Sequence, residues 1–189
     1  STPMILFIGQ VSTESLGREA FQEIDYKQMF HSISKWVTEI DRVERIPEIV
    51  SKAFKIAQAG RPGPVVISMP ENVLTDKTAA TTLPFFSTEA STVKSGSIHK
   101  LKEILRSSTK PLMLLGGGSW SDQSVQSICN FAKLNHLPIA TSFRRLDCVT
   151  LQNKNFVGDF GTSGPPTLIE NMQEVDALLV VGARLGEMT

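Results

Sequence analysis

The sequence predicts an α/β fold with parallel sheets and flanking helices, and three observations carry that reading. Short apolar runs rich in β-branched residues recur along the chain, each closing on glycine or a small polar residue. Between them lie stretches whose apolar residues return at the three and four residue spacing of one helix face. Strand and helix patterns alternate, which closes a parallel sheet through right-handed crossovers. A stretch dominated by Thr, Ser, Ala and Pro interrupts the alternation, so the predicted organisation is one unit at 1–77, a linker at 78–96 and a second unit at 97–189.

Taken in order, residues 4–8 form an apolar run expected as a strand covered on both faces, and Gly9 closes it. Gln10 follows at the carboxyl end, where α/β folds place their ligands. A polar loop at 11–17 leads into REAFQEID at 18–25, and Lys35-Trp36-Val37 starts a short strand. Residues 44–59 carry Ile46, Ile49, Val50, Ala53, Phe54, Ile56 and Ala57 on one helix face. Gly60, Pro62, Gly63 and Pro64 then stop that helix and turn the chain into the strand at 65–68. In the second half the expected elements are a helix at 97–106, a strand at 111–115, a helix at 122–135, a strand at 138–141, a helix at 166–172 and a strand at 177–181.

Composition narrows the function. Of the 189 residues, 41% are hydrophobic and 20% charged, which is enough to bury a core. The 19 basic and 19 acidic residues are interspersed, so no footprint for nucleic acid or an anionic membrane is present. No apolar run reaches the roughly 18 residues of a membrane span. Two cysteines and three histidines, all scattered, give neither a disulfide framework nor a metal site, and a reduced, cytoplasmic setting is expected. The chain starts on Ser1-Thr2-Pro3 and ends just after a strand, which leads to the expectation of a segment cut from a longer protein.

Three places carry possible chemistry. Phe21-Gln22-Glu23 sets an aromatic, an amide and a carboxylate side by side, which is either a pocket lining or an ordinary helix-end turn. Gly116-Gly117-Gly118-Ser119 lies between a strand and a helix, where it either brings backbone N–H groups to a phosphate or makes a tight turn for packing. Its spacing falls short of the dinucleotide fingerprint, and Thr141-Ser142 stands at the next strand end in place of an acidic residue. Gly182-Ala183-Arg184 repeats the pattern, with an arginine that either meets a phosphate or caps a helix.

Together these stretches resemble a known family. GQV at 9–11, AFQEID at 20–25, the lysine of SKW at Lys35, IPEIV at 46–50 and AGRPGPVVISMPENV at 59–73 are similar to the second half of the pyrimidine-binding domain of thiamine diphosphate-dependent enzymes. The nearest group is that of acetolactate synthase and related carboligases. KPLMLLGGGS at 110–119, LPIATS at 137–142, GDFGTSG at 158–164 and DALLVVGARL at 176–185 resemble the Rossmann-like central domain of the same superfamily.

The resemblance implies an enzyme that makes or breaks a carbon–carbon bond next to a carbonyl, on a 2-keto acid or acyl donor, as a dimer or tetramer. It implies thiamine diphosphate with Mg²⁺, whose thiazolium carbanion attacks the carbonyl and whose ring serves as electron sink. Gln10, Phe21 and Gln22 match positions on the substrate side, at an interface between two subunits. Arg61, Gly116, Gly117, Gly118, Thr141, Ser142, Gly182 and Arg184 match positions around FAD in the members that keep a flavin, or around ADP in others. The activating glutamate and the Mg²⁺-diphosphate ligands of the family match nothing in this chain, so it is expected to be inactive alone. The alternatives are a non-catalytic nucleotide-binding module and a structural remnant.

This chain also departs from true acetolactate synthases. They usually carry arginines in the loop that here reads Ser12-Thr13-Glu14-Ser15, a lysine where Glu71 stands, a histidine where Phe160 stands, and an acidic pair followed by arginine where Gly186-Glu187-Met188 stands. Two acidic residues in place of basic ones reverse the local field, which speaks against pyruvate and for another 2-keto acid or acyl donor. The paired histidines of the pyruvate decarboxylase branch are missing after Ile8.

Overall fold

The computed structural model describes residues 1–84, 92–118, 120–150, 152–162 and 164–186. The chain divides into two compact units, Ser1–Ala90 and Ser91–Thr189, each built on its own parallel sheet. Of the span expected as a linker, residues 85–91 lie outside the described residues, and Ser95 already opens a helix.

The first unit has strands β1 (Met4–Gln10), β2 (Trp36–Glu39) and β3 (Pro64–Pro70), in the order β1-β3-β2 and all parallel. Its helices are α1 (Tyr26–Phe30), α2 (Ile46–Gln58) and α3 (Glu71–Thr75). The helix read over 44–59 is a 3-10 turn at Val43–Arg45 followed by α2, because Pro47 fits a first helical turn and lacks the N–H that a turn further on would need. Ile49, Ala53 and Ala57 line the buried face of α2 and pack with Val65 and Ile67 of β3. Alanine at two of those three sites brings helix and sheet close, and each large apolar side chain so buried contributes about 1.5–3 kcal/mol.

One expectation fails here. Residues 4–8 were expected to be covered on both faces, yet β1 is an edge strand with Met4 and Phe7 nearly half exposed. An apolar run specifies a strand, while its coverage depends on which elements pack beside it.

The second unit contains α4 (Ser95–Ser107), β4 (Pro111–Leu115), α5 (Asp122–Leu134), β5 (Ile139–Ser142), β6 (Phe156–Phe160), α6 (Pro166–Met172) and β7 (Ala177–Val181). The parallel sheet runs β6-β5-β4-β7. Met113, Leu115 and Ile139 point to the face covered by Ala132 of α5, and Leu112, Leu114 and Ala140 to the face covered by Leu168 of α6. Both faces are covered, which is why these strands read as continuous apolar runs. From β4 the chain passes to β5 and β6 on one side and then crosses to β7 on the other, so order reverses between β4 and β7. Ligands of open α/β sheets bind outside the carboxyl ends of strands at such a reversal.

Candidate functional site

At the carboxyl ends of the first sheet, strand register decides which side chains meet. Ser68 of β3 pairs with Glu39 of β2 and with Ile8 of β1, so Gln10, Glu39 and Ser68 share the face turned away from α2. The Ser68 hydroxyl donates to Glu39 Oε2 at 3.0 Å, and Gln10 Nε2 donates to the same oxygen at 3.4 Å. Gln10 also donates to the Ile24 carbonyl at 2.8 Å and accepts from the Val11 N–H at 3.0 Å. These groups border a cavity of about 310 Å³ whose lining includes Glu23, Asp25, Tyr26 and Lys27.

The loop 11–25 is shaped by its own carboxylates. Glu23 accepts from the Gly17 N–H at 2.6 Å and the Ala20 N–H at 3.0 Å, and these two bonds, Gly17 first, hold its carboxyl below the usual range. Asp25 caps α1 by accepting from the Gln28 N–H, so REAFQEID leads into a helix instead of out of one. Phe21 is 90% exposed, and Gln22 is exposed with a φ of 67°. Neither borders the cavity that Gln10 borders. Thr13 and Asn72 bond each other twice, N–H to Oδ1 and Nδ2 to Oγ1, both at 3.0 Å, which pins the loop to α3 and brings the neighbourhoods of Glu14 and Glu71 together.

Arg61 precedes β3 at the amino end of this sheet, opposite Gln10, and its Nε donates to Ser1 Oγ at 2.7 Å. The Lys35 ammonium is spent on the fold, since its Nζ donates to the carbonyls of Ile56 and Ala59, both at 2.5 Å, and so caps the end of α2. A larger apolar groove beside α2, bordered by Ile46, Val50, Phe54 and Leu83, has almost no polar group to orient a ligand.

At the carboxyl ends of the second sheet the loops after β4 and β7 touch through backbone. Gly116 and Gly117 would, with a Cβ, overlap the Ser142 hydroxyl and the Gly182 carbonyl respectively, and a Cβ on Gly182 would lie 2.5 Å from the Gly116 carbonyl. Gly117 and Gly182 have φ of 76° and 70°, where side chains are strained. Packing therefore accounts for glycine at 116, 117 and 182. Gly118 is different, since among the described residues nothing lies within 4 Å of its Cβ position, and Arg184, after β7, is exposed. The β7 loop thus fills the side of Gly116 and Gly117, and the Gly118 side is open.

Thr141 and Ser142 alternate across the sheet. Ser142 faces Gly116, while Thr141 pairs with Leu115 on the α5 face and is fully buried, and among the described residues its Oγ1 has no hydrogen-bond partner. Cys148 is buried on that same face, and burial pushes its thiol up despite the neighbouring Arg145, so it is no reactive thiolate. Among the described residues no group of three or more His, Cys, Asp or Glu side chains converges to hold a metal ion.

Sequence reading named Gln10 and missed Glu39 and Ser68. A signal existed, since both are polar residues near strand ends in otherwise apolar company, but only register shows that they share a face.

Known proteins add context to this geometry. The family model described as "Thiamine pyrophosphate enzyme, central domain" matches residues 98–189. The acetolactate synthase isozyme 2 large subunit of Escherichia coli is 28% identical over 99% of this chain and 34% of its own length. The probable acetolactate synthase large subunit of Methanocaldococcus jannaschii is 31% identical over 99% of the chain and 33% of its length. The mitochondrial acetolactate synthase catalytic subunit of Saccharomyces cerevisiae is 29% identical over 98% and 29%. The chain thus spans about a third of the length of the curated relatives it matches. Among the described residues no helix is long and apolar enough to cross a membrane.

Proposed function

This chain belongs to the acetolactate synthase-like thiamine pyrophosphate enzymes, and from that premise we propose that it works within an enzyme that makes or breaks a carbon–carbon bond next to a carbonyl. The observation that carries the reading is similarity over nearly the whole chain to relatives that share one activity name. The substrate is a 2-keto acid or an acyl donor, and the working enzyme uses thiamine diphosphate with Mg²⁺.

Within that enzyme, residues 1–77 are the second half of the pyrimidine-binding domain and residues 97–189 much of the central domain. Gln10 holds the carboxyl end of β1 against Glu39 and the Ile24 carbonyl, and so fixes the substrate-side wall. Phe21 and Gln22 point outward, and their exposure supports a place in a dimer or tetramer interface. FAD or an ADP-type group is held at Gly118 and Arg184, with Gly116, Gly117, Gly182 and Ser142 keeping the two loops in place. The 189 residues alone do not turn over substrate, because the activating glutamate and the Mg²⁺-diphosphate ligands that the resemblance implies match nothing in this chain.

The test is carbon–carbon bond formation from a 2-keto acid or a neutral acyl donor by the protein that carries this chain, with thiamine diphosphate supplied or omitted. Product that forms equally well without the cofactor would overturn the reading.

A further inference from the structure

Glu39 is the group at the first sheet's carboxyl end with chemistry left to offer. Its Oε2 is fixed by the Ser68 hydroxyl and the Gln10 amide, at 3.0 and 3.4 Å. Both donors are nearly sealed from solvent, at 1% and 5% exposure, and cannot turn to water instead. Gln10 is itself used up, with Nε2 shared between Ile24 and Glu39 and Oε1 taken by Val11. Glu23 and Asp25 likewise serve backbone N–H groups, and the Tyr26 hydroxyl donates to the Gly9 carbonyl at 3.1 Å. Among the described residues Glu39 Oε1 has no such partner, and Glu39 borders the cavity of about 310 Å³. Three carboxylates and one ammonium, that of Lys27, line this cavity, so its field is negative.

We propose that Glu39 is a specificity-determining residue: its Oε1 accepts a hydrogen bond from a hydroxyl of the substrate, and its charge turns away a substrate carboxylate at that place. This rests on the function proposed above and, of its two substrate classes, selects the acyl donor over the 2-keto acid: a carbonyl compound that carries a neutral hydroxyl-bearing arm. The geometry supports it in two ways. A carboxylate held at one oxygen by fixed donors presents the other in a fixed direction. A second negative charge close to it, in a partly dry cavity, is repelled far more than in water.

Hydroxyacetone and pyruvate make the test pair, since they share a methyl ketone and differ in a hydroxymethyl or carboxylate arm. Each is titrated into the full ¹⁵N-labelled chain while the amide signals of Val11, Glu39 and Ser68 are followed. Hydroxyacetone is expected to move these signals at concentrations at least about tenfold below those pyruvate needs, a difference that like charges in contact readily produce. In Glu39→Gln the two probes should come within about twofold of each other. Glu39→Asp, which keeps the charge but withdraws the oxygen, should weaken hydroxyacetone and still exclude pyruvate. The proposal is overturned if pyruvate moves the same signals at equal or lower concentration, if hydroxyacetone moves none, or if Glu39→Gln keeps the preference. Absence of thiamine-dependent turnover in the whole enzyme would tell against the proposed function alone, because this preference is read on the chain itself.

Discussion

A Cβ atom on Gly117 would overlap the carbonyl oxygen of Gly182, so the loops that follow β4 and β7 are joined at a point where only backbone fits. Both glycines have positive φ, at 76° and 70°, and neither tolerates a side chain without strain. Gly117→Ala is therefore expected to destabilise the second unit by about 1–3 kcal/mol from backbone conformation alone, before any overlap is counted. Gly118→Ala, at an open position, should stay within about 0.5 kcal/mol. Urea unfolding followed by Trp120 fluorescence separates the two, and an unchanged midpoint for Gly117→Ala would refute the contact.

Nucleotide binding has its own test at the open side of the same loop. If Gly118 and Arg184 receive a phosphate, ADP or FAD should raise the melting temperature of the chain, and at 100 times its dissociation constant a ligand adds about 2.7 kcal/mol. Gly118→Asp should remove the rise by placing a carboxylate where the anion sits, while leaving the unliganded melting temperature nearly unchanged. A rise that survives Gly118→Asp would place the nucleotide elsewhere.

Asp176 braces the start of the second sheet. Its carboxylate accepts from the Ser108 hydroxyl, from the N–H and hydroxyl of Thr109 at 2.7 and 2.9 Å, and from the Lys110 N–H at 2.9 Å. The Ser108 hydroxyl first, then the backbone N–H of Thr109, hold its carboxyl well below the usual range. A carboxyl lowered in the folded state contributes stability above its unfolded value, which is lost as pH falls. Wild type should thus exceed Asp176→Asn by a constant margin from neutral pH down to about pH 5, and the margin should shrink below about pH 4. A margin that grows on acidification would contradict this sign.

Lys35 closes α2 by donating to the Ile56 carbonyl in its last turn and to the carbonyl of Ala59 just past it, and its stem lies against Gly63. Lys35→Met keeps the stem and removes the donors, and should cost the first unit about 1 kcal/mol. Trp36 fluorescence during urea unfolding reads that unit. A variant as stable as wild type would show that water replaces the ammonium without loss.

What was legible in the sequence followed from local patterning. The strand at 111–115 and those at 139–142 and 177–181 are flat apolar runs between helices of clear period, and they stand where the pattern put them to within a residue or two. β6 was not legible because FVGDF places Gly158, at a φ of 134°, and Asp159 inside the strand, and its register slips beside Ile139. α1 and α3, at five residues each, are too short to show a period. At the first site, Gln10 was visible as the residue that ends an apolar run. Glu39 and Ser68 were hidden because their meeting depends on the β1-β3-β2 order, which joins residues far apart in the chain. The three glycines at 116–118 looked equivalent in sequence, and only the neighbouring β7 loop separates two packing positions from one open one.

The central claim, membership of a carbon–carbon bond-forming thiamine enzyme at work on a carbonyl substrate, is tested most directly by one measurement. A ¹³C-labelled 2-keto acid or neutral acyl donor, together with an aldehyde acceptor, is given to the protein carrying this chain, and NMR follows new carbon–carbon bonds with thiamine diphosphate and Mg²⁺ present or left out. A labelled hydroxyketone that forms only with the cofactor, and not with the 189 residues alone, is the predicted result. Labelled substrate that returns unchanged under every donor, or product that forms equally without the cofactor, would contradict the account.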